Sequence, residues 1–112
     1  MKIYHNPRCR KSREGVQYLT DKKLNFEIFD YLKEGVSEDD IKSILKKLNM
    51  SAIEIVRKNE KIWKDNFKGK ELKEEQIISI LCEEPKLIER PIIVHKNKAV
   101  IGRPKENIDN LL

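Results

Sequence analysis

Cys9 is the residue with the most chemistry to offer. It lies between a short apolar strand, Lys2-Ile3-Tyr4, and a helix that begins near Arg10. A sulfur at that junction faces the first backbone N–H groups of the helix, which together carry roughly half a positive charge and favour thiolate over thiol. Arg8, Arg10, Lys11 and Arg13 surround it with four cations in six residues. Neighbouring positive charge lowers a cysteine pKa from about 8.5 into a range of about 3.5–7.5, which makes a nucleophile at neutral pH. Helix starts prefer acids to bases, so this local excess of cations points to a bound anion. His5, at the end of the strand, is placed to approach the sulfur as an imidazolium or a hydrogen-bond partner. Cys9-Arg10-Lys11-Ser12 keeps the first position of a C-x-x-C redox motif and has serine at the second, so no disulfide can form within the motif.

The elements that must hold Cys9 follow from the apolar pattern. Val16, Tyr18 and Leu19 suit a helix from about Arg10 to Lys22, weakened by roughly 1 kcal/mol at Gly15 relative to alanine. Phe26-Glu27-Ile28-Phe29 reads as a second strand, which completes a βαβ unit with parallel strands. Ser37 with Asp40, and Ser51 with Glu54, are capping-box starts for helices carrying Ile41, Ile44, Leu45 and Leu48, then Ile53 and Val56. Residues 60–72 read as a short amphipathic turn and a loop around Gly69. A further helix over about Lys73 to Glu83 turns Ile77, Ile78, Leu81 and Cys82 inward and stops at Pro85.

Ile92-Ile93-Val94 and Ala99-Val100-Ile101, joined by His95-Lys96-Asn97-Lys98, predict a β-hairpin, with His95 at the surface. Pro104 opens a closing helix with Ile108, Leu111 and Leu112 on one side. Pro91 suits a tight turn whose peptide isomer the sequence leaves open. The order β-α-β, helices, β-β-α describes an α/β domain over residues 1–112, a thioredoxin-like mixed sheet of about four strands with a helical insertion at about 37–83.

Composition narrows the function classes. Of 112 residues 38% are apolar and 38% charged, which suits one core and no second. No run of eighteen apolar residues occurs, and the first residues lack a signal peptide's apolar stretch, so a cytoplasmic protein without a membrane partner is expected. The net charge of +5 is spread among both signs, and there is no helix-turn-helix signature, so direct DNA binding is not expected. Two cysteines and two histidines stand too far apart for metal-ligand spacing, so no metal site is expected. Cys82 reads as packing on an apolar helix face, with a resolving thiol as the other reading.

His5-Asn6-Pro7-Arg8-Cys9-Arg10-Lys11-Ser12-Arg13 resembles the active-site loop of the glutaredoxin-coupled arsenate reductases (ArsC-type), which share a superfamily with the Spx-type transcriptional regulators. Val56-Arg57-Lys58-Asn59, Ile88-Glu89-Arg90-Pro91-Ile92-Ile93-Val94 and Gly102-Arg103-Pro104 resemble, in order, the segments that carry that family's three oxyanion-binding arginines. The resemblance spans nearly the whole chain. It implies that Cys9 attacks the arsenic of arsenate, with His5 and Ser12 beside it, while Arg57, Arg90, Arg103 and Asn6 bind the oxyanion. It further implies no bound cofactor, glutathione as co-substrate and glutaredoxin as the source of electrons. Guanidinium forks suit the task, because they bind tetrahedral oxyanions bidentately and stay charged.

Two departures bear on function. Arg10 and Lys11 stand where those reductases have small residues, and long cations there fit the carboxylates of glutathione, so a glutathione-dependent thiol reductase without arsenate activity is a second enzymatic reading. The shared superfamily gives a third, a Spx-like regulator that binds the carboxyl-terminal domain of the RNA polymerase alpha subunit, although Ser12 departs from the two-cysteine switch of such regulators.

Overall fold

The computed structural model describes residues 1–112. Strand β1 (Lys2–His5), helix α1 (Arg10–Asp21) and strand β2 (Glu27–Asp30) form the expected parallel βαβ unit, with Lys2 opposite Glu27 and His5 opposite Asp30. Strands β3 (Ile92–His95) and β4 (Lys98–Ile101) form the antiparallel hairpin, and the sheet order is β2-β1-β3-β4. One parallel and two antiparallel pairings make the sheet mixed, and the layout is thioredoxin-like.

Alternation along the strands sends successive side chains to opposite faces. Ile3 and its cross-strand partner Ile93 pack with Leu19 of α1 and with Ile108 and Leu111 on one side. Tyr4 and its partner Ile92 pack on the other side, in the cluster that holds Ile41, Ile44 and Leu45 of α3 (Glu38–Leu48) and Ile77, Ile78 and Leu81 of α5 (Glu74–Glu83). Each such fully buried branched side chain contributes about 1.5–3 kcal/mol. No helix is long and apolar enough to cross a membrane.

Local signals explain most element starts. Ser37 and Asp40 form the reciprocal capping box of α3, and the Ser51 N–H donates to Glu54 at 2.7 Å. The Ser51 segment tightens into a 3₁₀ turn over Ala52–Ile55, because Val56 immediately bridges to Ile88 and draws the chain extended. Two short helices appear where none or only a turn was expected. The first, α2 (Tyr31–Glu34), is capped by Asp30, whose side chain accepts the Lys33 N–H at 3.2 Å. The second, α4 (Lys61–Asn66), is anchored by buried Trp63.

The hairpin turn is shorter than expected, two residues instead of four, because Lys96 adopts φ 57° and lets pairing continue through His95 and Lys98. The closing segment Lys105–Leu111 is 3₁₀. Three residues per turn keep Ile108 and Leu111 on one side and rotate Leu112 into solvent, where it is 60% exposed, against the expectation that it packs with them.

Pro91 is the wedge that joins the site-bearing segments. A Cβ at Gly15 would stand 2.9 Å from Pro91 Cγ, and one at Gly102 would stand 3.1 Å from it. Both glycines therefore allow close approach, and Gly15, which costs helix propensity, lets α1 lie against the segment that carries Arg90. The Gly102 N–H donates to the Pro91 carbonyl at 2.8 Å, which ties the Arg103 segment to the same point. The Arg90-Pro91 and Arg103-Pro104 peptide bonds are both cis.

Candidate active site

After β1 ends at His5, the chain turns through residues 6–9, with the Cys9 N–H donating to the Asn6 carbonyl at 3.0 Å. Cys9 is the residue before α1, in extended conformation, and its carbonyl accepts the Arg13 N–H at 3.0 Å. The sulfur therefore sits at the open amino end of the helix, half-buried. Arg103 Nη2 donates to Cys9 Sγ at 3.9 Å. Burial pushes the thiol pKa up, but it is outweighed by the hydrogen bond and charge of Arg90 and by the backbone N–H groups of Ser12 and Lys11. Together these hold the thiol below its ordinary value.

Arg57 reaches the same region by backbone pairing. Its N–H donates to the Leu87 carbonyl at 2.6 Å, and the Glu89 N–H donates to the Ile55 carbonyl at 2.8 Å, so the Arg57 and Arg90 segments run side by side. Arg57, Glu89, Arg103, Lys58 and Asn59 line a cavity of about 320 Å³. Two acids steady its cations. Glu60 meets Arg57 Nε at 3.5 Å, and Glu89 meets Arg103 Nη1 at 3.8 Å. The Nε atoms of Arg90 and Arg103 are buried without hydrogen-bond partners. Guanidinium N–H groups left unpaired around an ionisable sulfur form an arrangement suited to a polyoxygenated anion.

The cations next to Cys9 in sequence do not gather on it. Arg10 and Lys11 pair with Glu14 at 3.6 and 3.5 Å, and Arg13 donates to the Pro7 carbonyl at 3.0 Å. Helical twist carries them outward, and Arg10 is 84% exposed. The helix amides lower the thiol pKa as expected, whereas the decisive side-chain charge comes from Arg90, eighty-one positions away in sequence.

A family model described as the ArsC family matches residues 4–111. The chain belongs to the ArsC family. It is 42% identical over 110 residues to the uncharacterized protein YfgD of Escherichia coli K12, covering 96% of this chain and 92% of that one. It is 36% identical over 112 residues to the arsenate reductase of Haemophilus influenzae, covering 98% and 97%. Among solved structures, the arsenate reductase from Vibrio cholerae superposes with a TM-score of 0.94 at 33% identity, covering 100% of this chain and 98% of that one.

Two residues of the Cys9 loop in this ArsC-family chain, His5 and Asn6, make contacts that differ from the simplest expectation. The His5 imidazole turns to Ser12 and not to the sulfur, with Nδ1 2.7 Å from Ser12 Oγ. Ser12 Oγ also accepts the Asn6 N–H at 2.9 Å, so its hydrogen is free to go to Nδ1, which leaves the ring proton on Nε2. Burial, with the charge of Arg13, holds the His5 pKa below its ordinary value against Asp30 and Ser12, which raise it, so the ring is neutral at pH 7. Asn6 organises the loop, its Oδ1 accepting the Arg8 N–H at 3.0 Å, and it lines a separate cavity with Asp30 and Lys33. Cys82 is only half-buried, and burial together with Glu38, Asp40 and Glu83 raises its pKa, which opposes thiolate formation.

Tyr31, Glu60 and Glu89 belong to the surroundings of the candidate site, and the sequence reading did not single them out. The available signal was topological. Tyr31 follows β2 at the carboxyl end of the parallel pair, the same end from which the Cys9 loop leaves, and such strand ends are where α/β proteins build sites.

Proposed function

We propose that this chain is a thiol-dependent arsenate reductase in which Cys9 is the nucleophile and Arg57, Arg90 and Arg103 bind the oxyanion. The single observation that carries the reading is the Cys9 sulfur lying under Arg103 Nη2 at 3.9 Å, with its pKa lowered, against burial, by Arg90 and the helix amides. The thiolate bonds to arsenic as one arsenate oxygen leaves, protonated to water. Arginine charge offsets the charge that builds on the remaining oxygens. Two thiols, from glutathione and glutaredoxin, then supply two electrons as they become a disulfide, arsenic falls from the pentavalent to the trivalent state, and arsenite leaves with the Cys9 thiol restored. Ser12 sets the orientation of the loop and His5 stays neutral beside it, so both support the nucleophile from behind.

The scheme needs one thiol in the motif, which fits serine at position 12. It also needs a reducing compartment such as the cytoplasm, in which Cys9 and Cys82 remain thiols. The test is turnover of arsenate by purified protein with glutathione, glutaredoxin, glutathione reductase and NADPH. Arsenate-dependent NADPH consumption that vanishes in Cys9→Ser is the expected result, and consumption that survives this substitution removes the nucleophile from the scheme.

A further inference from the structure

Tyr31 is the first residue of α2, directly after Asp30, which stands opposite His5 in the β1–β2 register. Its side chain is 1% exposed, and its O–H finds no acceptor, although the Arg90 guanidinium lies close enough to bear on the phenol oxygen. The charged groups that bear on it are Arg90, Cys9 and Arg57, which are the nucleophile and two of the three arginines of the site. A buried O–H without an acceptor is costly, and phenylalanine would fill the same space without that cost. The position nonetheless holds a polar group aimed among the site's own charges.

We infer that the Tyr31 hydroxyl is a fourth donor of the anion site, giving its O–H to an oxygen of the tetrahedral anion held by Arg90 and Arg57. The inference rests on the oxyanion reading above and adds to it a neutral donor among cationic ones. Burial, opposed by Arg90 and Arg57, pushes the phenol up to about 12, so the O–H is retained throughout the neutral range. A neutral O–H adds a donor that an oxygen of the anion can accept without adding a further charge to the site.

The test compares wild type with Tyr31→Phe, using inorganic arsenate to protect Cys9 from iodoacetamide at fixed pH. Loss of one hydrogen bond to a charged ligand predicts protection that is weaker by about ten- to a hundredfold. The anion-free pH profile of Cys9 alkylation should stay in place, and the Tm should stay close to that of wild type or exceed it, since the buried O–H that the variant loses has no acceptor. Equal protection in both proteins overturns the inference and leaves the oxyanion reading standing. A profile shifted upward with unchanged protection also overturns it, because the hydroxyl then serves the thiolate. A lowered Tm with unchanged protection overturns it by showing a structural role. Wild-type Cys9 unprotected by arsenate at any concentration defeats the oxyanion reading itself, and this inference with it.

Discussion

Arg103 donates to the sulfur of Cys9 at 3.9 Å although the two are ninety-four positions apart in sequence. Glu89 holds the other end of the same guanidinium at 3.8 Å, and the Gly102–Pro91 backbone bond fixes the segment that carries it. Cys9 sits at the amino end of α1, and its charge partners come from the segment before β3 and from the loop after β4.

Arg90→Ala should raise the pH midpoint of Cys9 alkylation, because the variant loses both the hydrogen bond and the charge of Arg90 while burial of the sulfur continues to oppose ionisation. Arg10→Ala should leave the midpoint nearly unmoved, since that side chain is exposed and engaged with Glu14. Iodoacetamide rates across pH, followed by mass spectrometry, check both; a larger shift from Arg10→Ala than from Arg90→Ala would contradict the assignment.

Ser12→Ala should destabilise the fold by about 1–3 kcal/mol, as it leaves the Asn6 N–H and His5 Nδ1 unpaired in a buried site. Urea unfolding measures the loss. Ser12→Cys should also disturb this contact, because a thiol is a weak donor and acceptor.

Gly15→Ala should destabilise by about 1–3 kcal/mol through overpacking against the Pro91 ring, although helix propensity alone predicts a gain of about 1 kcal/mol. The rigid ring cannot swing aside as a long side chain would. A stabilised Gly15→Ala protein would show that α1 and Pro91 can separate freely.

Stability should fall on acidification through the range in which His5 titrates. Its folded-state pKa lies below the ordinary value of about 6.5, so the unfolded chain binds the proton first. The contribution is fully present above about pH 6.5 and is lost as pH falls through the lower folded-state value. Denaturation midpoints between pH 8 and pH 5 should show this slope in wild type and a reduced one in His5→Asn.

Periodicity and punctuation carried much of the fold. The βαβ unit, the hairpin and the Ser37 capping box are local signals, and each forms as its residues imply. The elements that escaped, α2 and α4, are each four to six residues long, too short for an apolar period to register, and they depend on Asp30 and Trp63. At the site, Cys9 and its helix amides were legible because they are neighbours in sequence. The role expected of Arg10, Lys11 and Arg13 was misleading for the same reason, since sequence proximity ignores helical twist and the acid at Glu14. Tyr31 was illegible because nothing beside it in sequence announces a buried hydroxyl among charges, which arises only once β2, β3 and the Val56–Ile88 bridge are assembled.

The most direct measurement is the alkylation rate of Cys9 as a function of pH, with and without arsenate. A lone thiolate held by arginines drawn from distant segments predicts a midpoint below the ordinary thiol value of about 8.5, and slowing of the reaction by arsenate that is lost in Arg90→Ala. A midpoint at or above that value, with rates indifferent to arsenate, would contradict it.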